Sequence, residues 1–433
     1  MQCLTCYNQK MIFKNSLLLA FFSGLSLLLA IVRDRLLAEN VGISFTLDLY
    51  NASFRIPDLL YGSLLAFISA GTVVPFLTKE DSHGKQISPL HRLITLSSLF
   101  LFINASIGLL LFIILPYIAH LIVPGFTTGQ REMYVSLTRL LMVQPILLGL
   151  ASLFSCYAQL RNEFIRLGVS PLLYSLGIIY GIVYLYPLYG VQGLIIGVVI
   201  GALFSLVLQS FSLRSLKSHH FKHVFSWSLT REAIHLALPR SATNIITQVR
   251  VVIFHGFATL LGPGYLSAYL FALRIPEAMV QIIQQSATTA SIPVLSRDYS
   301  ERKIDLYKKT VKKYSIALFL IGIGASLLIF LGREGLVALL YGKSTMNALI
   351  VYFLGGALLA LPFQMLAGYL SISFYSIHDT KSVMIAFLIS SLLSVPLLYT
   401  SFGTGAFQLI IANVFFWVST SLMLLFFYMR KKF

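Results

Sequence analysis

The chain has 433 residues, of which 57% are hydrophobic and 11% charged, with a net charge of +17 and a mean hydropathy of +0.84. A sequence this apolar cannot give a soluble globule a charged surface, so it reads as an all-α polytopic membrane protein. The basic excess lies in short gaps between apolar runs, as topology signals do, and no nucleic-acid motif accompanies it.

Apolar runs of about 20 residues, enough to cross a hydrocarbon core, recur twelve times. They lie near 14–36, 45–77, 93–115, 134–158, 164–186, 191–213, 232–260, 265–295, 312–331, 347–375, 382–400 and 404–428. The first is too long for a signal-peptide core and lacks a small-residue cleavage site behind it, so it is expected to remain as a span. With a cytosolic N-terminus the inside segments carry 22 of the 32 basic residues, among them Arg92, Arg161, Arg166, Arg214 and the cluster from Arg297 to Lys313. The bias predicts that both termini are cytoplasmic.

The second and eighth runs repeat one another. Aligning Tyr50 with Tyr269 puts Arg55 on Arg274, Ile56 on Ile275, Pro57 on Pro276 and Asp58 on Glu277, and one residue of slip later Pro75 meets Pro293. The spacing predicts two six-helix lobes, 1–213 and 232–433, joined by a cytoplasmic linker at 214–231. Six is even, so both lobes enter from the same side and form parallel pseudo-repeats; the expectation is a central cavity between them.

Charges within the runs are few. A charge at bilayer depth costs about 2.5 to 3.5 kcal/mol on the most permissive scale, so such groups face a bundle interior or an aqueous cavity and pair there. Six arginines, Arg33, Arg35, Arg55, Arg240, Arg250 and Arg274, stand against the acids Asp34, Asp48, Asp58 and Glu277. The core is net cationic, and guanidinium groups suit phosphate or pyrophosphate. Arg55 and Arg274 are the substrate-binding candidates, because the repeat places both on walls of the expected cavity. Asp34, Arg35 and Asp58 read equally as interhelical ion pairs, and Arg33 and Arg35 also as snorkelling residues. Asp48 lies seven residues before Arg55, two turns along one helix face, and Pro57 can bend the span. Gln281 to Ser291 would extend a polar stripe or serve as helix-packing glue.

No phosphate-binding G-x-x-x-x-G-K-[ST] loop is present, the histidines are scattered, and Cys3-x-x-Cys6 lacks a second ligand pair. The expectation is a non-enzyme with no metal and no cofactor.

The stretches "VRDRLLAENVG", "LDLYNASFRIPDLL", "FISAGTVVPFLTKE" and "ALRIPEAMVQ" resemble the MurJ/MviN family, lipid II flippases of the multidrug/oligosaccharidyl-lipid/polysaccharide exporter superfamily. The resemblance implies that Arg33, Arg55 and Arg274 bind the diphosphate of undecaprenyl-pyrophosphoryl-sugar-pentapeptide. Asp34, Asp48, Asp58 and Glu277 would be gating or structural partners. Leu27 and Tyr61 stand where the family usually carries two further cavity arginines, and the family pattern runs on into two more helices beyond the twelfth span.

The implied function is translocation of lipid II across the bacterial cytoplasmic membrane by alternating access. Membrane lipids and cell-wall synthesis proteins are the further expected partners. The alternatives are another polyprenyl-linked polysaccharide, drug export, or a non-transporting scaffold for cell-wall synthesis.

Overall fold

A computed structural model of the chain describes residues 2–68, 70–78, 89–214, 227–342, 345–400 and 405–431. The charged loop at 79–88, most of the expected linker and the side chains of Cys3, Cys6 and Arg240 lie outside the described residues. In chain order the described helices are α1 (Gln2–Asn40), α2 (Phe45–Ser53), α3 (Arg55–Ile68), α4 (Ala70–Thr78), α5 (Pro89–Ile122), α6 (Thr128–Leu141), α7 (Val143–Leu160) and α8 (Phe164–Tyr180). They continue as α9 (Tyr186–Tyr189), α10 (Val191–Ser210), α11 (Trp227–Leu260), α12 (Tyr265–Ser300), α13 (Ile304–Tyr341), α14 (Asn347–Ser376), α15 (Thr380–Ser394) and α16 (Gly405–Arg430). Among the described residues ten helical segments are long and apolar enough to cross a membrane. The chain is a multi-pass membrane protein.

The run expected to form one span at 45–77 is interrupted at Phe54, between α2 and α3. Proline lacks an N–H, and its ring crowds the carbonyl four residues earlier. The residue four before Pro57 is Ser53, the last of α2; the residue four before Pro145 is Leu141, the last of α6. Both helices stop on the carbonyl that the proline cannot use. Asp48 and Arg55 therefore lie on either side of a break rather than along one continuous helix.

The chain forms two compact units. The first comprises Met1–Val41, Ser53–Ala119 and Thr128–Ser241; the second comprises Gly42–Ala52, His120–Thr127 and Ala242–Phe433. The break at Phe54 coincides with the passage of the chain from the second unit back to the first.

In the first unit α3 and α4 pack on α7, and α8 packs on α1 and α10. Leu60, Leu64, Ile68, Phe76, Phe100 and Leu153 form part of its core. Arg92, in the first turn of α5, is buried, with its guanidinium 5.3 Å from the Phe76 ring centre. The α8–α10 contact is made by glycines: a Cβ on Gly197 would lie 2.5 Å from the Gly181 Cα and 2.8 Å from the Gly177 carbonyl oxygen. Small residues at four-residue spacing let two backbones meet, and in lipid such close packing replaces the hydrophobic drive available in water.

In the second unit α14 is the central helix, packed against α12, α13, α15 and α16. Ile350, Phe353, Leu358, Leu366, Leu370 and Phe374, spread around its circumference, are all buried. A helix apolar on every side belongs in such a position. α13 presents Leu327, Leu328 and Leu331 outward, as an acyl-chain contact requires.

Three hairpins share one turn. Asn162, Arg302 and His378 take left-handed φ values of 60°, 58° and 61°. The next N–H in each, from Glu163, Lys303 and Asp379, bonds back to Ala158, Asp298 and Phe374 at 2.9, 2.8 and 3.0 Å. This is the helix-ending Schellman pattern. Asn162 and His378 are 216 residues apart, so the internal repeat extends to the backbone of its loops.

Candidate substrate-binding residues

α1 ends on charged residues. Arg33 pairs with Asp34 at 2.9 Å, and both are largely buried; Arg35 pairs with Glu39 at 2.9 Å on an exposed surface. In the same unit Arg55 opens α3. It is half-buried and electrostatically coupled to Asp58, one turn ahead, and to Tyr134 of α6. Tyr61, in the position where an arginine was expected, exchanges a 3.2 Å hydrogen bond with Ser152. Together with Ser155, Tyr174, Ser205 and Gln209, and with the apolar Leu148, Leu167 and Pro171, these two residues line a cavity of about 260 Å³ without a charged side chain.

In the second unit Asp48 is 1% exposed and lies against the start of α12. Its Oδ2 accepts from the Gly264 N–H at 2.5 Å, and its Oδ1 accepts from the Ser267 N–H at 2.7 Å and the Ser267 hydroxyl at 2.6 Å. The Asn51 amide donates to the same hydroxyl at 3.0 Å. The first N–H groups of a helix have no partner within it and carry its positive dipole end. Asp48 satisfies both needs from a different helix. Gly264, at φ 87°, supplies the left-handed turn that exposes those N–H groups. Sequence reading assigned Asp48 to a gating or structural role; the geometry is that of a cap.

Arg274 lies on α12, half-buried, with its guanidinium 5.3 Å from the Phe271 ring. Phe271 is itself fixed by stacking on Tyr341 at 4.5 Å. Glu277, one turn beyond Arg274, is exposed. Gln284 of the polar stripe packs onto Gly368 of α14, and Ser291 is buried. The sequence counted Arg250 among the span arginines without giving it a role. Its guanidinium is buried 3.8 Å from the Phe416 ring and 5.0 Å from Phe254, and it interacts electrostatically with Tyr269 and Glu277. Only the cost of burying a cation pointed to it from sequence; the aromatic partners come from α11 itself and from α16.

A profile of the family described as "Lipid II flippase MurJ" matches residues 37–433. A Treponema pallidum (strain Nichols) protein described as "Probable lipid II flippase MurJ" is 25% identical over 444 aligned residues, covering 94% of this chain and 81% of its own. A solved structure described as "Lipid II flippase MurJ, inward closed conformation" superposes with a TM-score of 0.79 at 21% identity, over 95% of this chain and 87% of its own. A solved structure described as "Inward-facing conformation of a multidrug resistance MATE family transporter of the MOP superfamily" gives 0.73 at 15% identity over 94% of both chains. The two structural likenesses establish a common fold, and the profile match narrows the kinship: the chain belongs to the lipid II flippase MurJ family.

Proposed function

We propose that this chain is a lipid II flippase that carries the anionic undecaprenyl-pyrophosphate-linked precursor from the inner to the outer leaflet of a bacterial cytoplasmic membrane by alternating access. The observation that carries this reading is the family match over residues 37–433. Arg33, Arg55 and Arg274 are the residues proposed to hold the diphosphate. The commitment of the buried Asp48 carboxylate to the N-terminus of α12 supports this assignment. Export of organic cations would ask for acids available to the substrate.

The proposed protein is a transporter with no catalytic chemistry of its own, with both termini in the cytosol. An inside-negative potential favours outward movement of an anionic headgroup by about 2.3 kcal/mol per charge per 100 mV, which can drive the cycle without ATP. Cell-wall synthesis proteins are its proposed neighbours. The test is complementation: production of this chain in bacteria depleted of their own lipid II flippase restores growth and prevents lysis. Lysis despite normal amounts of the chain in the membrane would contradict the proposal.

A further inference from the structure

Three arginines of the first unit surround a cavity that the flippase reading does not use. Arg161 and Glu163 come from the α7–α8 turn, Arg166 from the first turn of α8, and Phe211 and Arg214 from the end of α10; together they line about 300 Å³. The three elements meet at the ends of three candidate spans, Thr128–Leu160, Phe164–Tyr189 and Val191–Leu213.

Glu163 organises the cluster. One of its oxygens lies 3.2 Å from Arg161 and the other 2.6 Å from Arg166. Arg161 and Arg166 also donate to the Ser212 carbonyl at 3.4 Å and the Ser212 hydroxyl at 3.2 Å. Arg214 lies 3.8 Å over the Phe211 ring. The guanidinium groups are thus held in place, and one carboxylate against three cations leaves a surplus of two positive charges.

The turn itself does not require them. In the second copy Ile377 and Ser382 occupy the positions of Arg161 and Arg166. The same turn forms there, with Asp379 bonded to Ser382 and Lys431. Arg161 and Arg166 are therefore not required for folding of the hairpin, whereas position 214 meets a second arginine, Arg430, at the same spacing. Basic pockets between helix ends at a membrane surface suit phosphate head groups, and guanidinium groups bind phosphate oxygens in pairs.

The geometry points to a phosphate-binding site, formed by Arg161, Arg166 and Arg214, for the head group of an anionic phospholipid or a soluble phosphate ester. The experiment is native mass spectrometry of the full chain in neutral detergent with phosphatidylglycerol, phosphatidylcholine or glycerol phosphate. The double variant R161Q/R214Q keeps the Arg166–Glu163 pair, and K309Q/K313Q removes equal charge from α13. The chain and K309Q/K313Q should retain phosphatidylglycerol over phosphatidylcholine, and R161Q/R214Q should lose about tenfold or more of that binding. R214E, which leaves both contacts to Glu163 intact, should show the same loss and stands in if the double variant does not fold. Displacement of the lipid by millimolar glycerol phosphate would identify a soluble ester as a competent ligand of the same site; resistance to it would assign the site to the lipid. Equal binding by the chain and both arginine variants, or an equal loss in K309Q/K313Q, would overturn the proposal.

Discussion

The Asp48 carboxylate accepts a 2.6 Å hydrogen bond from the Ser267 hydroxyl, and the two residues are counterparts in the internal repeat, 219 positions apart. The copies have diverged at this position into acceptor and donor, so the start of one repeated helix is capped by a residue of the other. Asp48→Asn should lower stability by about 1 to 3 kcal/mol, since a buried helix start loses its charged acceptor. Ser267→Ala should cost less, because the Ser267 N–H still donates to the carboxylate. Thermal unfolding of the detergent-purified variants checks the order; equal midpoints for Asp48→Asn and the unaltered chain would refute the cap.

Arg250 is a buried cation held between aromatic rings. Arg250→Ala should destabilise the second unit by about 2 to 5 kcal/mol, because the packing against Phe254 and Phe416 is lost. Arg250→Lys should recover only part, because an ammonium lacks the planar face that stacks on Phe416. Full recovery by lysine in thermal unfolding would show that charge alone matters there.

At the α8–α10 contact Gly197→Val should cost about 1 to 3 kcal/mol or more, because its side chain meets backbone that cannot yield. Gly324→Val, at a position with no neighbour within 4 Å, should be tolerated. The comparison is read as membrane-inserted yield and unfolding midpoint. Equal behaviour of the two variants would argue against close backbone packing.

Asp379, outside the spans, responds to pH with a definite sign. Burial pushes its carboxyl up, but hydrogen bonds from Lys431 and Ser382 outweigh this and hold it below its ordinary value of 3.8. A depressed carboxylate contributes stability above its unfolded value and loses it as pH falls through the folded one. The unaltered chain should therefore exceed Asp379→Asn in unfolding midpoint at pH 7, with the difference closing below about pH 4. A constant difference across that range would mean that Asp379 acts through shape rather than charge.

Hydropathy located the helices because burial in lipid leaves an unambiguous apolar record, but it misjudged where they end. The run expected at 312–331 belongs to α13, Ile304–Tyr341. The helix continues through Lys308, Lys309, Lys312 and Lys313, since backbone hydrogen bonding propagates past the point where side chains turn polar. The break at Phe54 was harder to foresee. Pro57 and its counterpart Pro276 sit in the same motif, yet α12 runs through Pro276 unbroken. The difference lies in tertiary context: the chain changes unit at Ala52–Ser53, whereas all of α12 stays within one. At the candidate site charge in the repeated apolar runs singled out Arg55 and Arg274, and the family resemblance added Arg33. It could not reveal the cap made by Asp48, whose partners are two backbone N–H groups and a serine.

The central claim is that guanidinium groups in the spans hold a diphosphate during translocation. Its most direct test is the arrival of lipid II at the outer leaflet in flippase-depleted bacteria producing Arg274→Ala or Arg274→Lys at normal membrane levels. The account predicts that alanine abolishes arrival and that lysine, with the charge but not the paired donors, restores only a fraction of it. Arrival at the unaltered rate in both variants would contradict it.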